Sequence, residues 1–139
     1  MTALLRLLFL VPLGYMTAVV AWGLTIAVGA VGAPDDAPFA FIAAFTAHTL
    51  YAGAAAFVPA AVAIAVAEIF AFRSVFYYLA VGGVLGFLAG QIAFYVGRAA
   101  VYDTRQLLYV AAGFVAAAVY WLVAGMHAGL GWTELQPRR

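Results

Sequence analysis

One uncharged stretch constrains this chain more than any other, because it combines membrane-spanning length with glycines at helical spacing. It runs from Ser74 to Gly97 and contains three glycines that recur every fourth residue, Gly82, Gly86 and Gly90. On a helix these glycines lie on one face. In a water-soluble helix each would cost about 1 kcal/mol relative to alanine, whereas in lipid small residues let a neighbouring backbone approach closely. We therefore predict a transmembrane helix whose glycine face packs against another helix.

The composition extends this prediction to the whole chain. Apolar residues make up 69% of the 139 residues and charged residues only 8%, against about 25% charged residues in globular domains. A soluble fold of this size could not bury so much apolar surface. We predict an all-α integral membrane bundle that forms a single domain. The net charge of +1 gives no reason to expect a nucleic-acid partner, and the absence of cysteine excludes disulfides and thiolate metal sites.

Four apolar runs, separated by polar or proline-containing breaks, predict four transmembrane helices with short loops. A span needs about 20 apolar residues, and the runs place the spans at about residues 7–31, 48–71, 75–97 and 106–125. The first run is much longer than the apolar core of a signal peptide, which is about 7–15 residues. We therefore expect it to remain as an uncleaved first span.

The second apolar run is longer than one span requires, because it begins at Phe39 and ends near Phe72. Either Phe39–Ala47 lies along the membrane interface before the span begins, or the whole helix is tilted. In both cases Pro59 predicts a kink. The run also carries a second stripe of small residues, which we expect to be the mate of the glycine face: Gly53, Ala56, Ala60, Ala63 and Ala67.

The distribution of arginine predicts the orientation of the bundle. Four spans place both termini on one side of the membrane, together with Arg6, Arg73, Arg138 and Arg139. The opposite side receives two arginines and three acids: Arg98, Arg105, Asp35, Asp36 and Asp103. Because cytoplasmic loops carry an excess of basic residues, we predict that both termini are cytoplasmic, in the inner membrane of a bacterium.

Polar side chains within the predicted spans are functional candidates by default, and here they are His48, Glu68, Gln91 and His127. The structural interpretation of Gln91 is a hydrogen bond between helices, and that of His48 is an interfacial or helix-bonding residue. For Glu68 we expect a bond to an arginine or to His127 that closes the cytoplasmic end of the bundle as a structural latch. The functional interpretation makes Glu68 a proton or cation site.

The sequence gives little support to cofactor chemistry or catalysis. Haem iron can be held by two histidines, but His48 comes early in the second span and His127 at the cytoplasmic end of the fourth, so their depths differ by most of a membrane thickness. We therefore expect no haem, no metal and no other cofactor. Nucleotide-binding glycine loops and metalloprotease motifs are also missing from the sequence, which indicates that the protein is not an enzyme.

The segment Val119–Gly129 reads VYWLVAGMHAG. It resembles the VYWLxAGxxAG ending of small four-helix bacterial inner-membrane proteins. In those proteins the position after the first Ala-Gly pair is often basic, whereas this chain has Met126 and His127 between its two pairs. The resemblance implies a bacterial inner-membrane location and brings no assigned chemistry.

Two functions fit these features. The first is a small structural or accessory protein of the lipid bilayer, whose helices pack against each other and against a second copy or a larger membrane complex. The small-residue stripes, short loops and few ionisable groups favour it. The alternative is a small transporter or channel subunit that uses Glu68, Gln91 and His48.

Overall fold

The computed structural model describes residues 5–32, 34–35, 37–97 and 104–129. Within these ranges the chain is all-α, as predicted. Five α-helices follow one another: α1 (Val11–Val31), α2 (Pro38–Ala55), α3 (Phe57–Phe70), α4 (Val75–Gly97) and α5 (Thr104–Val123). A π-helical turn, Arg6–Leu10, leads into α1, and a 3₁₀ turn, Gly125–His127, follows α5. Five charged residues used in the topology prediction lie outside the described ranges: Asp36, Arg98, Asp103, Arg138 and Arg139.

The described helices are those of a membrane protein. Three segments are each long and apolar enough to cross a bilayer: Arg6–Val31, Val75–Ala93 and Arg105–Val123. The helices α2 and α3 pass the same test only as a pair, with a bend of 58° between them. The described part of the chain therefore contains three candidate spans, or four if the bent pair crosses as one.

Pro59 explains the bend between α2 and α3. It has no N–H to donate to the carbonyl of Ala55, and its ring crowds that carbonyl. The helical hydrogen bonds on either side are intact, with Ala56 N to Ala52 O at 3.0 Å and Ala60 N to Ala56 O at 2.9 Å. The predicted kink is thus present, and it falls at Ala56. The segment Phe39–Ala47 belongs to α2, which continues without a break to Ala55.

The helix α5 lies at the centre of the bundle, with α1 on one side and α4 on the other, and α2 packs against α1. Small and aromatic residues fill these contacts, and Trp22, Ile26, Ala112 and Tyr120 are buried. The indole of Trp22 meets the ring of Tyr109 edge-on, with centroids 5.9 Å apart. Long apolar side chains point outward on every helix, which suits a lipid environment.

The glycine face of α4 lies directly against the backbone of α5. A Cβ atom on Gly82 would collide with the carbonyl of Gly113, and one on Gly86 with the carbonyl of Tyr109. At Gly90 the neighbour is the Gln106 side chain. These pairs run in opposite directions along the two helices, so α4 and α5 are antiparallel and approach closely because glycine occupies the contact.

The prediction that the second stripe of small residues packs against the glycine face was therefore wrong. The alanine stripe of α3 shares little backbone contact with α4. Its members Ala56, Ala60 and Ala63 instead line an apolar cleft of about 240 Å³ that also borders Gly82. The bend at Ala56 takes α3 out of the line of α2, so a continuous stripe from Gly53 to Ala67 does not lie along the glycine face. The consecutive helices α4 and α5 then pack face to face.

A pair of matched glycine substitutions tests the close approach of α4 to α5. Overpacking at a tight contact costs about 1–3 kcal/mol, so Gly86→Ala should lower the free energy of unfolding by that amount. At Gly53 a Cβ would meet only Val19, at an ordinary 3.5 Å. Because alanine favours the helix over glycine by about 1 kcal/mol, Gly53→Ala should leave stability unchanged or raise it.

Thermal unfolding in detergent, followed by far-ultraviolet circular dichroism, measures both variants. If Gly86→Ala melts at the same temperature as Gly53→Ala, the glycine face is not a backbone contact.

Candidate functional site

One end of the bundle brings together charged side chains from distant parts of the sequence. Arg6 comes from the π-helical turn, Glu68 from the last turns of α3, and Arg73 from the connection to α4. They meet the segment Ala124–Gly129 after α5, which contains two Ala-Gly pairs and is called here the AG turn. Arg6 is only 3% exposed and Glu68 9%, so the charges are inside the protein.

Arg6 and Glu68 form a buried ion pair. Arg6 Nη2 lies 2.6 Å from Glu68 Oε1, and the same nitrogen donates to the carbonyl of Ala124 at 2.9 Å. The second carboxylate oxygen, Oε2, accepts the backbone N–H of Gly129 at 3.1 Å. Hydrogen bonds to charged groups are stronger than neutral ones. This contact therefore ties the start of the chain and the AG turn to the end of α3.

The π-helical turn explains why Arg6 points into the bundle. The buried face of α1 includes Gly14 and Ala18, and in a regular α-helix Arg6 would lie about 80° around the axis from Gly14. A π-helical turn takes in an extra residue and thereby rotates Arg6 towards the buried face. The π-helical turn lies just before Pro12, which has no N–H to donate to the carbonyl of Leu8. A hydrogen bond from Val11 N–H to the carbonyl of Arg6 closes the turn.

The end of α3 and the AG turn fit together through an unusual pair of small residues. Ala71 adopts a left-handed conformation with φ of 53°. Phe72 N–H bonds to the carbonyl of Ala67 at 2.9 Å. In this kind of helix end the left-handed residue is usually glycine. Gly129 also has positive φ, at 76°, and a Cβ there would collide with Ala71. Glycine at position 129 therefore allows its N–H to reach Glu68.

Arg73 makes a parallel contact with the same turn. Its Nε donates to the carbonyl of Ala128 at 2.9 Å, while Trp121 Nε1 donates to the carbonyl of Arg73 at 2.8 Å. Ala124 and Ala128, the two alanines of the AG turn, are fully buried, and each offers its carbonyl to one arginine. These alanines were not predicted from the sequence to have a role, although two Ala-Gly pairs four residues apart were the available signal.

His48 lies elsewhere, between α2 and α5. Its Nδ1 is 2.9 Å from the carbonyl of Ala44, which can only accept, so Nδ1 carries the proton. In the neutral ring Nε2 then accepts the hydroxyl of Tyr109, at 3.2 Å. His48 is half-buried and joins two helices. Its partner Tyr109 was not among the residues singled out from the sequence.

The structure joins some of the sequence candidates and separates others. Glu68 bonds to Arg6 and not to His127, whose side chain is exposed in the 3₁₀ turn. Gln91 is half-buried on α4, next to Gly90 and away from this ion pair. Within the described ranges, no three histidine or acidic residues are placed to hold a metal ion.

Two apolar clefts lie on either side of α3. The first is the 240 Å³ cleft described above, lined also by Tyr15, Trp22 and Tyr120. The second, called here the Arg6 cleft, has a volume of about 850 Å³ and lies between the π-helical turn and α1 on one side and α2 and α3 on the other. Arg6 and Glu68 line one end of it, and Thr49 lines it farther along.

Comparisons with family models, with curated proteins and with solved structures returned no match to this chain.

Proposed function

We propose that this protein is a small structural or accessory protein of the membrane. In this role its helices pack against each other and against a second copy or a larger membrane complex. The observation that carries the proposal is the bonding of Glu68, the one acid within the described helices. Both of its carboxylate oxygens are occupied, one by Arg6 and the other by Gly129 N–H. A carboxylate held in this way joins three separate segments of the chain, and both of its oxygens are already engaged by the protein.

The bonds of the other polar groups support the same function. His48 uses both ring nitrogens within the chain, and Thr17 and Thr25 bond to carbonyls of their own helix. Tyr15 donates to the carbonyl of Gly53 at 2.8 Å and so joins α1 to α2. Polar side chains thus serve as contacts within and between helices, as is common in membrane bundles.

The outward faces provide the surface for lipid or partners. On α1, large apolar side chains that are about half exposed or more follow one another along the helix: Leu13, Met16, Val20, Leu24 and Val28. Such a face suits lipid tails, a second copy of the chain or an apolar helix of a membrane complex equally well.

The proposal includes four spans, with the bent pair α2 and α3 crossing as one, and both termini in the cytoplasm of a bacterial inner membrane. Arg6 and Arg73 lie at the same end of the bundle, because both bond to the AG turn. An excess of arginine at that end favours a cytoplasmic position. The resemblance of the AG turn and the residues before it to endings of bacterial inner-membrane proteins supports the same location.

Reporter fusions test this orientation. Fusions of a cytoplasmic and a periplasmic reporter after Asp35, after Arg73 and at the C-terminus should give a periplasmic signal only after Asp35. A periplasmic signal at the C-terminus would overturn the proposed arrangement.

The alternative function is a small transporter or channel subunit. It is favoured by one observation, which is that Glu68 lines the Arg6 cleft and so stands at the border of a large open volume. In that role Glu68 would exchange its proton or a cation with the cleft. The Arg6 cleft is otherwise almost wholly apolar, which is unfavourable for an ion.

Flux measurements in proteoliposomes separate the two functions. With a pH-sensitive dye inside the vesicles, the wild-type protein should give no proton flux above that of protein-free vesicles. Glu68→Gln should give the same flux while lowering thermal stability. The matched control is Asp35→Asn, because Asp35 is exposed outside the helices, and this variant should change neither property. A wild-type flux that disappears in Glu68→Gln, but not in Asp35→Asn, would establish the transporter function instead.

A further inference from the structure

We propose that one acyl chain of a bilayer phospholipid occupies the 240 Å³ cleft that α3 shares with α1, α4 and α5, called here the aromatic cleft. This is a binding site of the protein and goes beyond the structural role proposed above. Three properties of the cleft carry the assignment: the way it is held open, the chemistry of its wall and its dimensions.

Two tyrosine side chains hold the walls of the aromatic cleft apart. Tyr77 on α4 donates from its hydroxyl to the carbonyl of Ala63 on α3, and Tyr15 on α1 donates to the carbonyl of Gly53 on α2, both at 2.8 Å. Both rings line the cleft. Small residues on facing helices, such as Ala63 and Gly82, would otherwise let the backbones close on each other. The cleft stays open because a whole aromatic ring stands between each pair of helices.

The wall of the aromatic cleft consists of rings and alkyl groups. No charged side chain is among the described residues that line it. The hydroxyls of Tyr15, Tyr77 and Tyr78 are already bonded to backbone carbonyls. Trp22 Nε1 and Tyr51 Oη have no partner within the described part of the chain, but both atoms are buried and out of reach of an occupant. Water is unfavourable in such a cleft, because it would lack hydrogen-bond partners.

The dimensions of the aromatic cleft suit a single hydrocarbon chain and exclude a helix. On α4 the lining residues run from Tyr77 to Ile92, a distance of about 23 Å along the helix axis. A helical segment of that length and about 10 Å in diameter has a volume of roughly 1,800 Å³, whereas the volume of the cleft is about 240 Å³. A narrow cleft of this length suits one extended chain.

The aromatic cleft opens where acyl chains are the solvent. Leu88 and Ile92 line the cleft, and each is about half exposed on α4, within the candidate span Val75–Ala93. The hydrocarbon core of a bilayer surrounds such a span over about 30 Å, so the molecules that meet this opening are lipid chains. An empty cleft would forfeit the contacts that an occupant makes with its lining, and apolar cavities in proteins bind apolar ligands.

Fluorescence quenching of Trp22 tests the site in a bilayer. Trp22 lines the cleft, but only 6% of its surface is exposed, so lipid outside the bundle has little contact with it. The parent protein would carry Trp121→Phe and Trp132→Phe, which leave Trp22 as the one tryptophan of the chain.

The emission of this parent protein would be compared in dioleoyl phosphatidylcholine and in the same lipid with dibrominated chains, because bromine quenches an indole that it touches. Most of the Trp22 emission should be lost in the brominated bilayer. Equal emission in the two bilayers would overturn the proposal.

Matched variants of the parent protein locate the chain. Ala60 lines the aromatic cleft, so Ala60→Phe should fill it and restore most of the emission. Ala80 is exposed on α4 and lines neither cleft, so Ala80→Phe is the control and should be quenched like the parent. If Ala60→Phe does not fold, the smaller Ala60→Leu should restore part of the emission. Quenching as strong in the folded Ala60 variant as in Ala80→Phe would contradict the proposed site.

Native mass spectrometry of the protein purified from cell membranes identifies the occupant. One phospholipid per chain should be retained by the wild type and by Ala80→Phe, and it should be lost in the folded Ala60 variant. If the species that is lost has instead the mass of an isoprenoid lipid or of a second protein chain, the assignment to an acyl chain is wrong.

Discussion

The buried ion pair between Arg6 and Glu68 is the contact on which the arrangement of the helices depends. Arg6 reaches a carboxylate 62 residues away and a carbonyl 118 residues away in the sequence, so one side chain connects the beginning, the middle and the end of the bundle. A buried pair is not a strong source of net stability, because both charges lose their hydration. Its effect is to fix one arrangement, since an unpaired charge in that place is far more unfavourable than the pair.

The position of α3 shows why this fixing is needed. The bend at Pro59 turns α3 out of the line of α2, and α3 makes few close backbone contacts with the other helices. Three polar contacts hold it instead: the bonds of Glu68 to Arg6 and to Gly129 N–H, and the bond of Tyr77 Oη–H to the carbonyl of Ala63 at 2.8 Å. The two apolar clefts on either side of α3 follow from this loose placement. The ion pair therefore helps to hold α3 in its place in the bundle.

Local features of the structure could be predicted from the sequence, but the partners of each helix could not. Apolar length and proline chemistry are properties of short segments, so the sequence predicted the helix Val75–Gly97 and the bend near Pro59. A stripe of small residues shows that some backbone comes close without showing which one. For this reason the alanines of α3 were assigned to the glycine face that in fact meets α5.

The burial of Arg6 depends on a π-helical turn, which rotates the residue in a way that regular helical spacing does not reveal. The role of the AG turn depends on backbone carbonyls. Every residue carries a backbone carbonyl, so the sequence does not show which ones will accept a hydrogen bond from an arginine.

A double-mutant cycle on the ion pair tests this account most directly. The free energy of unfolding in detergent would be measured for the wild type, Arg6→Gln, Glu68→Gln and the double variant. If each charge is buried and satisfied by the other, each single variant should lose about 3–5 kcal/mol, and the double variant should lose clearly less than the sum of the two. Losses that simply add would show that Arg6 and Glu68 act independently, and would contradict the account.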